Sequence, residues 1–131
     1  MNPDSRKEEK SYPHSELTGQ ILSAAFEVQN TLGSGFLEKV YENALASELN
    51  RRGINCEQQK AIEVTYKGAG VGAYTADLLV DEKVLIELKV VTALNDVHRA
   101  QVLNYLKAGG IKVGLLVNFA YPKLQYERLV L

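Results

Sequence analysis

The sequence predicts an α/β domain, a mixed central sheet flanked by helices. Three observations carry that reading. Apolar residues recur at three- and four-residue steps up to about residue 52, the apolar period changes to two after Gly53, and a helical stretch then separates two strongly apolar strands. That last feature is a β-α-β step, which is expected to cross over right-handed within one sheet. The 131 residues suit a single domain. At that size a chain buries roughly two-thirds of its unfolded surface, enough for a core without covalent staples.

Residues 1–12 are polar, mixed in charge and aperiodic, and read as a flexible tail before one domain at 13–131. From Ser15, positioned to cap, Leu17, Ile21, Leu22, Ala25, Phe26 and Val28 mark a first helix, and Gly33 stands where a left-handed C-terminal residue is wanted. A second helix runs from about Leu37 to Arg52, with Val40, Leu45 and Leu49 inward and Gly53 as its stop. Glu57 to Lys67 reads as a strand with Ala61, Val64 and Tyr66 among its apolar members, followed by a turn at Gly68-Ala69-Gly70. Val71 to Val80 and Lys83 to Val91 form a hairpin around Asp81-Glu82. A helix from about Asn95 to Ala108 ends at Gly109-Gly110. Lys112 to Phe119 and Leu124 to Leu131 are the last strands.

Composition narrows the chemistry. Cys56 is the only cysteine, which excludes an internal disulfide and a multi-cysteine zinc site. The N-terminus lacks the apolar stretch of a secretory signal, and no run approaches the ~20 apolar residues of a membrane span, so the cytoplasm is the expected setting. Net charge is −1, whereas binding phosphate polymers by charge alone calls for a basic balance. Gly68-Ala69-Gly70 precedes a strand rather than a helix, so it is no phosphate-cradling loop. Neither a Gly-x-Ser-x-Gly nor a paired-histidine metal motif is present.

The hairpin breaks its own pattern. Val84 to Val91 is apolar on both faces and belongs at the centre of the sheet, yet Glu87 and Lys89 interrupt it. Two apart, they project to the same side. Asp77 interrupts Ala76 to Val80 on the neighbouring strand in the same way. Buried carboxylates are costly unless paired or bound to a cation. A two-residue loop at Asp81-Glu82 would pair Asp77 with Ile86 and separate the acids. A three-residue turn, Asp81 to Lys83, or a bulge of the same parity, sets Asp77 opposite Glu87, and that is the geometry expected. A structural salt-bridge cluster that fixes strand register is the competing account.

Two further constellations stand out. Gln101 and Tyr105 lie four apart on the helix after the hairpin, and His98 extends their stripe. Gly35, Glu38 and Tyr41 open the second helix, where a first-turn acid is also favoured by the helix dipole.

Taken together these residues resemble the PD-(D/E)xK nuclease superfamily, and more narrowly the family named for its GxxExxY motif, read here as Gly35, Glu38 and Tyr41. The acidic pair and lysine match Asp77 and Glu87-Leu88-Lys89, with Ala76 where the superfamily name has proline. Gln101 to Tyr105 is similar to the Gln-x-x-x-Tyr helix of RecB-like nucleases. The resemblance implies a restriction-endonuclease-like α-β-β-β-α-β core. It also implies a Mg²⁺ (or Mn²⁺) site at Asp77, Glu87, the Leu88 carbonyl and, directly or through water, Glu38, because hard cations prefer oxygen ligands. Lys89 would orient the attacking water and offset developing charge, with Gln101 and Tyr105 as supporting donors and His98 as a weaker phosphate contact. The implied substrate is nucleic acid, DNA ahead of RNA, cut by structure or at ends rather than by base sequence. A homodimer or protein partner could supply specificity. Val113 to Val117 with Leu129-Val130-Leu131 reads as either such an interface or core. The alternative function is a catalytically silent binding or assembly module that keeps the fold.

Overall fold

The computed structural model describes residues 13–131; the expected tail at 1–12 lies outside them. The element order is the predicted one: α1 (Ser15–Leu32), α2 (Glu38–Arg51), β1 (Cys56–Tyr66), β2 (Ala69–Val80), β3 (Val84–Lys89), α3 (Asp96–Gly109), β4 (Val113–Asn118) and β5 (Gln125–Val130). The strands form one five-stranded sheet in the order β1-β2-β3-β4-β5. β3 and β4 pair in parallel and the other neighbours antiparallel. The doubly apolar β3 is therefore the central strand, as both-face burial requires.

Each sheet face has its own core. Ile21, Ala25, Leu45 and Leu49 of the first two helices pack with Leu78, Ile86, Leu88, Leu115 and Phe119. On the other face Val102 and Leu106 of α3 pack with Leu79, Leu85 and Leu116. Full burial of such side chains is worth ~1.5–3 kcal/mol each. α3 lies so close to β4 that a Cβ at Gly114 would fall 2.6 Å from Val102 Cγ1. Val113 to Val117 is fully buried core rather than interface, while Val130 and Leu131 are exposed.

Several local expectations are corrected. Ser15 does not cap α1: His14 is the N-cap in a left-handed conformation without a side-chain bond, and the Thr18 hydroxyl donates to the Ser15 carbonyl. Val40 faces outward, because α2 buries the stripe of Tyr41, Leu45 and Leu49. In β1 the inward residue is Ile62, while Ala61 and Tyr66 are exposed. A left-handed Gln59 and a bulge at Val64/Thr65 interrupt the alternation. The first hairpin turns on Lys67 and Gly68, both at positive φ, with Tyr66 facing Ala69. Such a tight turn matches the right-handed twist of its strands.

The segment between α1 and α2 is held by Tyr41. Its hydroxyl donates to the Gly33 carbonyl at 2.6 Å and accepts the Phe36 N–H at 3.2 Å, and its ring stacks on Phe119 with centroids 4.7 Å apart. Gly35, at φ 107°, makes the bend that leads into Glu38. Tyr41→Phe should keep the stack but leave two backbone groups unpaired. The expected cost is about 1–2 kcal/mol, read as a lower denaturant midpoint at unchanged slope.

Candidate active site

The three-residue turn forms as parity demanded. Val80 faces Val84, Leu79 faces Leu85 and Leu78 faces Ile86, so the next step sets Asp77 against Glu87. Asp81 and Glu82 take left-handed conformations to close the turn. At Asp77 side chains replace ladder bonds. The Glu87 carboxylate accepts the Asp77 N–H at 3.1 Å, and Asp77 Oδ2 accepts the Leu88 N–H at 2.8 Å. Each acid is thereby fixed by a backbone N–H of the opposite strand.

Their electrostatics follow from that placement. Glu87 is 4% exposed. Burial, then the Asp77 charge, push its carboxyl up to about 8 despite the Asp77 N–H and Lys89. Asp77 is also raised, chiefly by burial and against the Leu88 N–H bond. Each charge therefore disfavours the other, and burial adds to the cost of ionising both.

Lys89 lies at the end of β3, where its ammonium donates to Gln101 Oε1 at 3.1 Å. The Gln101 amide in turn donates to the Tyr105 hydroxyl at 2.9 Å. One helical turn on α3 thus links the lysine to the tyrosine, as the four-residue spacing allows. Burial raises the Tyr105 hydroxyl above its ordinary pKa.

α2 completes the neighbourhood. Glu38, exposed at its first turn, makes no hydrogen bond or ion pair among the described residues. Burial, Asp77 and Glu42 raise its carboxyl while Lys89 lowers it. His98 caps the helix. With Asn95 it forms the capping box of α3, its Nδ1 accepting the Asn95 N–H at 3.2 Å.

Three further residues, Glu42, Gln58 and Gln59, join the site without having been singled out from the sequence. Glu42 is 3% exposed and accepts from Lys39 at 2.8 Å, Gln58 at 2.8 Å and Gln59 at 2.6 Å. Gln59, left-handed at φ 53°, also points its amide at Asp77 Oδ1, 3.4 Å away. A non-glycine residue in that region costs of order 1 kcal/mol, and in that conformation Gln59 bridges Glu42 of α2 to Asp77.

These donors fit a hard divalent cation. Burial raises the pKa of both carboxylates with Lys89 only partly offsetting them, and Glu87 Oε2 accepts no protein hydrogen bond among the described residues. No third His, Cys, Asp or Glu joins them in a ready-made cage among the described residues. That suits Mg²⁺, which keeps several waters and uses one or two carboxylates.

The fold and this arrangement define a restriction-endonuclease-like α/β domain with an acid-pair-and-lysine centre on its central hairpin. The sequence profile of the PD-(D/E)XK nuclease superfamily matches residues 15–129, and the chain belongs to that superfamily. The solved structure of SSO0001 is similar in fold, with TM-score 0.57 and 21% identity over 89% of this chain; the chain spans 59% of that protein's length. No curated protein matches the chain. No helix among the described residues is long and apolar enough to cross a membrane.

Proposed function

We propose that the domain at 13–131 is a divalent-metal-dependent nuclease of the GxxExxY type that hydrolyses phosphodiester bonds in the cytoplasm, DNA ahead of RNA. The carrying observation is the Asp77–Glu87 pair, bonded to opposed backbone groups, with Lys89 beside it and tied to α3. Asp77, Glu87 and the Leu88 carbonyl would hold Mg²⁺ or Mn²⁺, with Glu38 reaching it through water. Bound there, the ion supplies Lewis acidity toward the phosphoryl oxygen and lowers the pKa of water.

The chain's own groups do the rest. Lys89 holds the attacking water and offsets negative charge as it develops on the phosphate. Gln101 fixes the ammonium by accepting from it, and Tyr105 fixes Gln101. Gln59 and Glu42 keep Asp77 in place. A net charge of −1 leaves little non-specific affinity, which favours structure- or end-selective cutting, with a homodimer or protein partner adding specificity.

The test is digestion of branched, single-stranded and duplex substrates with Mg²⁺ or Mn²⁺, using Lys89→Ala as control. Metal-dependent products from wild type alone are expected. No product on any substrate with either ion would leave the silent binding or assembly module as the function.

A further inference from the structure

Two clefts lie between α3 and the β1–β2 strands, and Tyr74 and Asn104 line both. The first, about 330 Å³, is lined by Gln101 and Tyr105 and so opens beside the Lys89 relay. The second, about 400 Å³, continues from Tyr74 and Asn104 to Lys107. Tyr74 lies within β2 yet is 49% exposed. Its ring lies against that of Tyr105, with centroids 5.0 Å apart and planes at 38°. That contact orders the ring while leaving much of it to solvent.

The polar groups beyond it are uncommitted. Asn104 and Lys107 are exposed, one helical turn apart, and neither side chain makes a hydrogen bond or ion pair among the described residues. An ordered aromatic ring followed by an amide and a point charge along a trough matches what a single nucleic-acid strand requires: a stacking face for a base, then donors for its backbone. A paired base hides that face in its own stack, so the chemistry selects an unpaired nucleotide.

We infer that Tyr74 is a base-stacking residue, and that a strand leaving the Asp77–Glu87–Lys89 centre follows α3 with an unpaired base on Tyr74 and its backbone beside Asn104 and Lys107. The direction of the track rests on the nuclease reading above; the binding of single strands does not require cleavage.

The experiment measures fluorescence anisotropy of a dye-labelled oligothymidylate and of a duplex in EDTA, with melting curves to verify folding. Tyr74→Leu, which keeps apolar cover over Tyr105, should weaken oligothymidylate binding about tenfold, and Tyr74→Phe should stay near wild type. Duplex binding should not change with either. Lys107→Ala should reduce the slope of log affinity against log salt by about 0.7. With Mg²⁺, Tyr74→Leu should raise KM on the oligonucleotide.

Wild type that fails to bind oligothymidylate, unchanged affinity in Tyr74→Leu, an equal loss on duplex, or a Tyr74→Phe variant as weak as Tyr74→Leu would each overturn the inference. Should the binding pattern hold while wild type cleaves nothing, stacking stands and the nuclease reading falls. Cleavage with a neutral Tyr74→Leu gives the reverse. If Tyr74→Leu does not fold, Tyr74→Ile, better suited to a strand, replaces it.

Discussion

Lys89→Ala is expected to lower phosphodiester cleavage on the order of 10²–10³-fold at neutral pH, the loss falling on kcat rather than KM. The ammonium is held in place by Gln101, which lies one turn of α3 from Tyr105 and donates to it. Its charge offsets both acids of the pair and Glu38. Negative charge on the phosphoryl oxygens grows toward the transition state, so a fixed cation counts for more there than in the ground state. Lys89→Arg should rescue little, since a planar fork cannot take the place of a point charge bonded to one amide oxygen. Because Asp77 and Glu87 are untouched, Mg²⁺ binding by calorimetry should persist in Lys89→Ala. A variant that keeps cleavage within about threefold of wild type would remove Lys89 from the chemistry, the difference being under 1 kcal/mol in the barrier.

The parts of this arrangement that sequence could reach were those governed by period and parity. β3 had to be central because both its faces are apolar, and a three-residue turn was required to bring Asp77 to Glu87; the register has both features. What parity could not show is that the two acids displace ladder bonds and take backbone N–H groups for themselves. The left-handed Gln59 was equally hidden, since no residue type announces a strained position as glycine announces a turn. Gln58-Gln59 has the look of ordinary edge-strand polarity. Glu42 did leave a signal, because it lies four after Glu38 and three before Leu45, on the buried side of α2. Placing Val40 inward turns that helix by about one residue and conceals it. Tyr74 is hidden for another reason: it reads as one more aromatic strand residue until the ring of Tyr105 is found against it.

Glu87→Gln should raise the stability of the metal-free protein while abolishing cleavage. The carboxyl of Glu87 is pushed from an ordinary 4.5 up to about 8 in the folded chain. A folded state that holds a proton more tightly than the unfolded state is stabilised fully below the unfolded pKa and loses that stability as pH rises through the folded one. The loss therefore develops between about 4.5 and about 8. Glutamine keeps the shape and an oxygen for the Asp77 N–H but never ionises, so it escapes the loss. At pH of about 8 in EDTA, the variant should be more stable by on the order of 2 kcal/mol, which is roughly 5–10 °C in Tm for a domain of this size, with Asp77 taking part of the proton's effect. Below about pH 5 the two melting curves should converge. Saturating Mg²⁺ should invert the order, because only wild type gains from a ligand bound to its native state. Higher stability without the ion and lower stability with it is the signature of a site strained for binding. A salt-bridge cluster predicts the opposite, since glutamine would then lose a paired charge and destabilise the chain at every pH above the carboxylate range. Melting curves across pH, with EDTA and with Mg²⁺, decide between them.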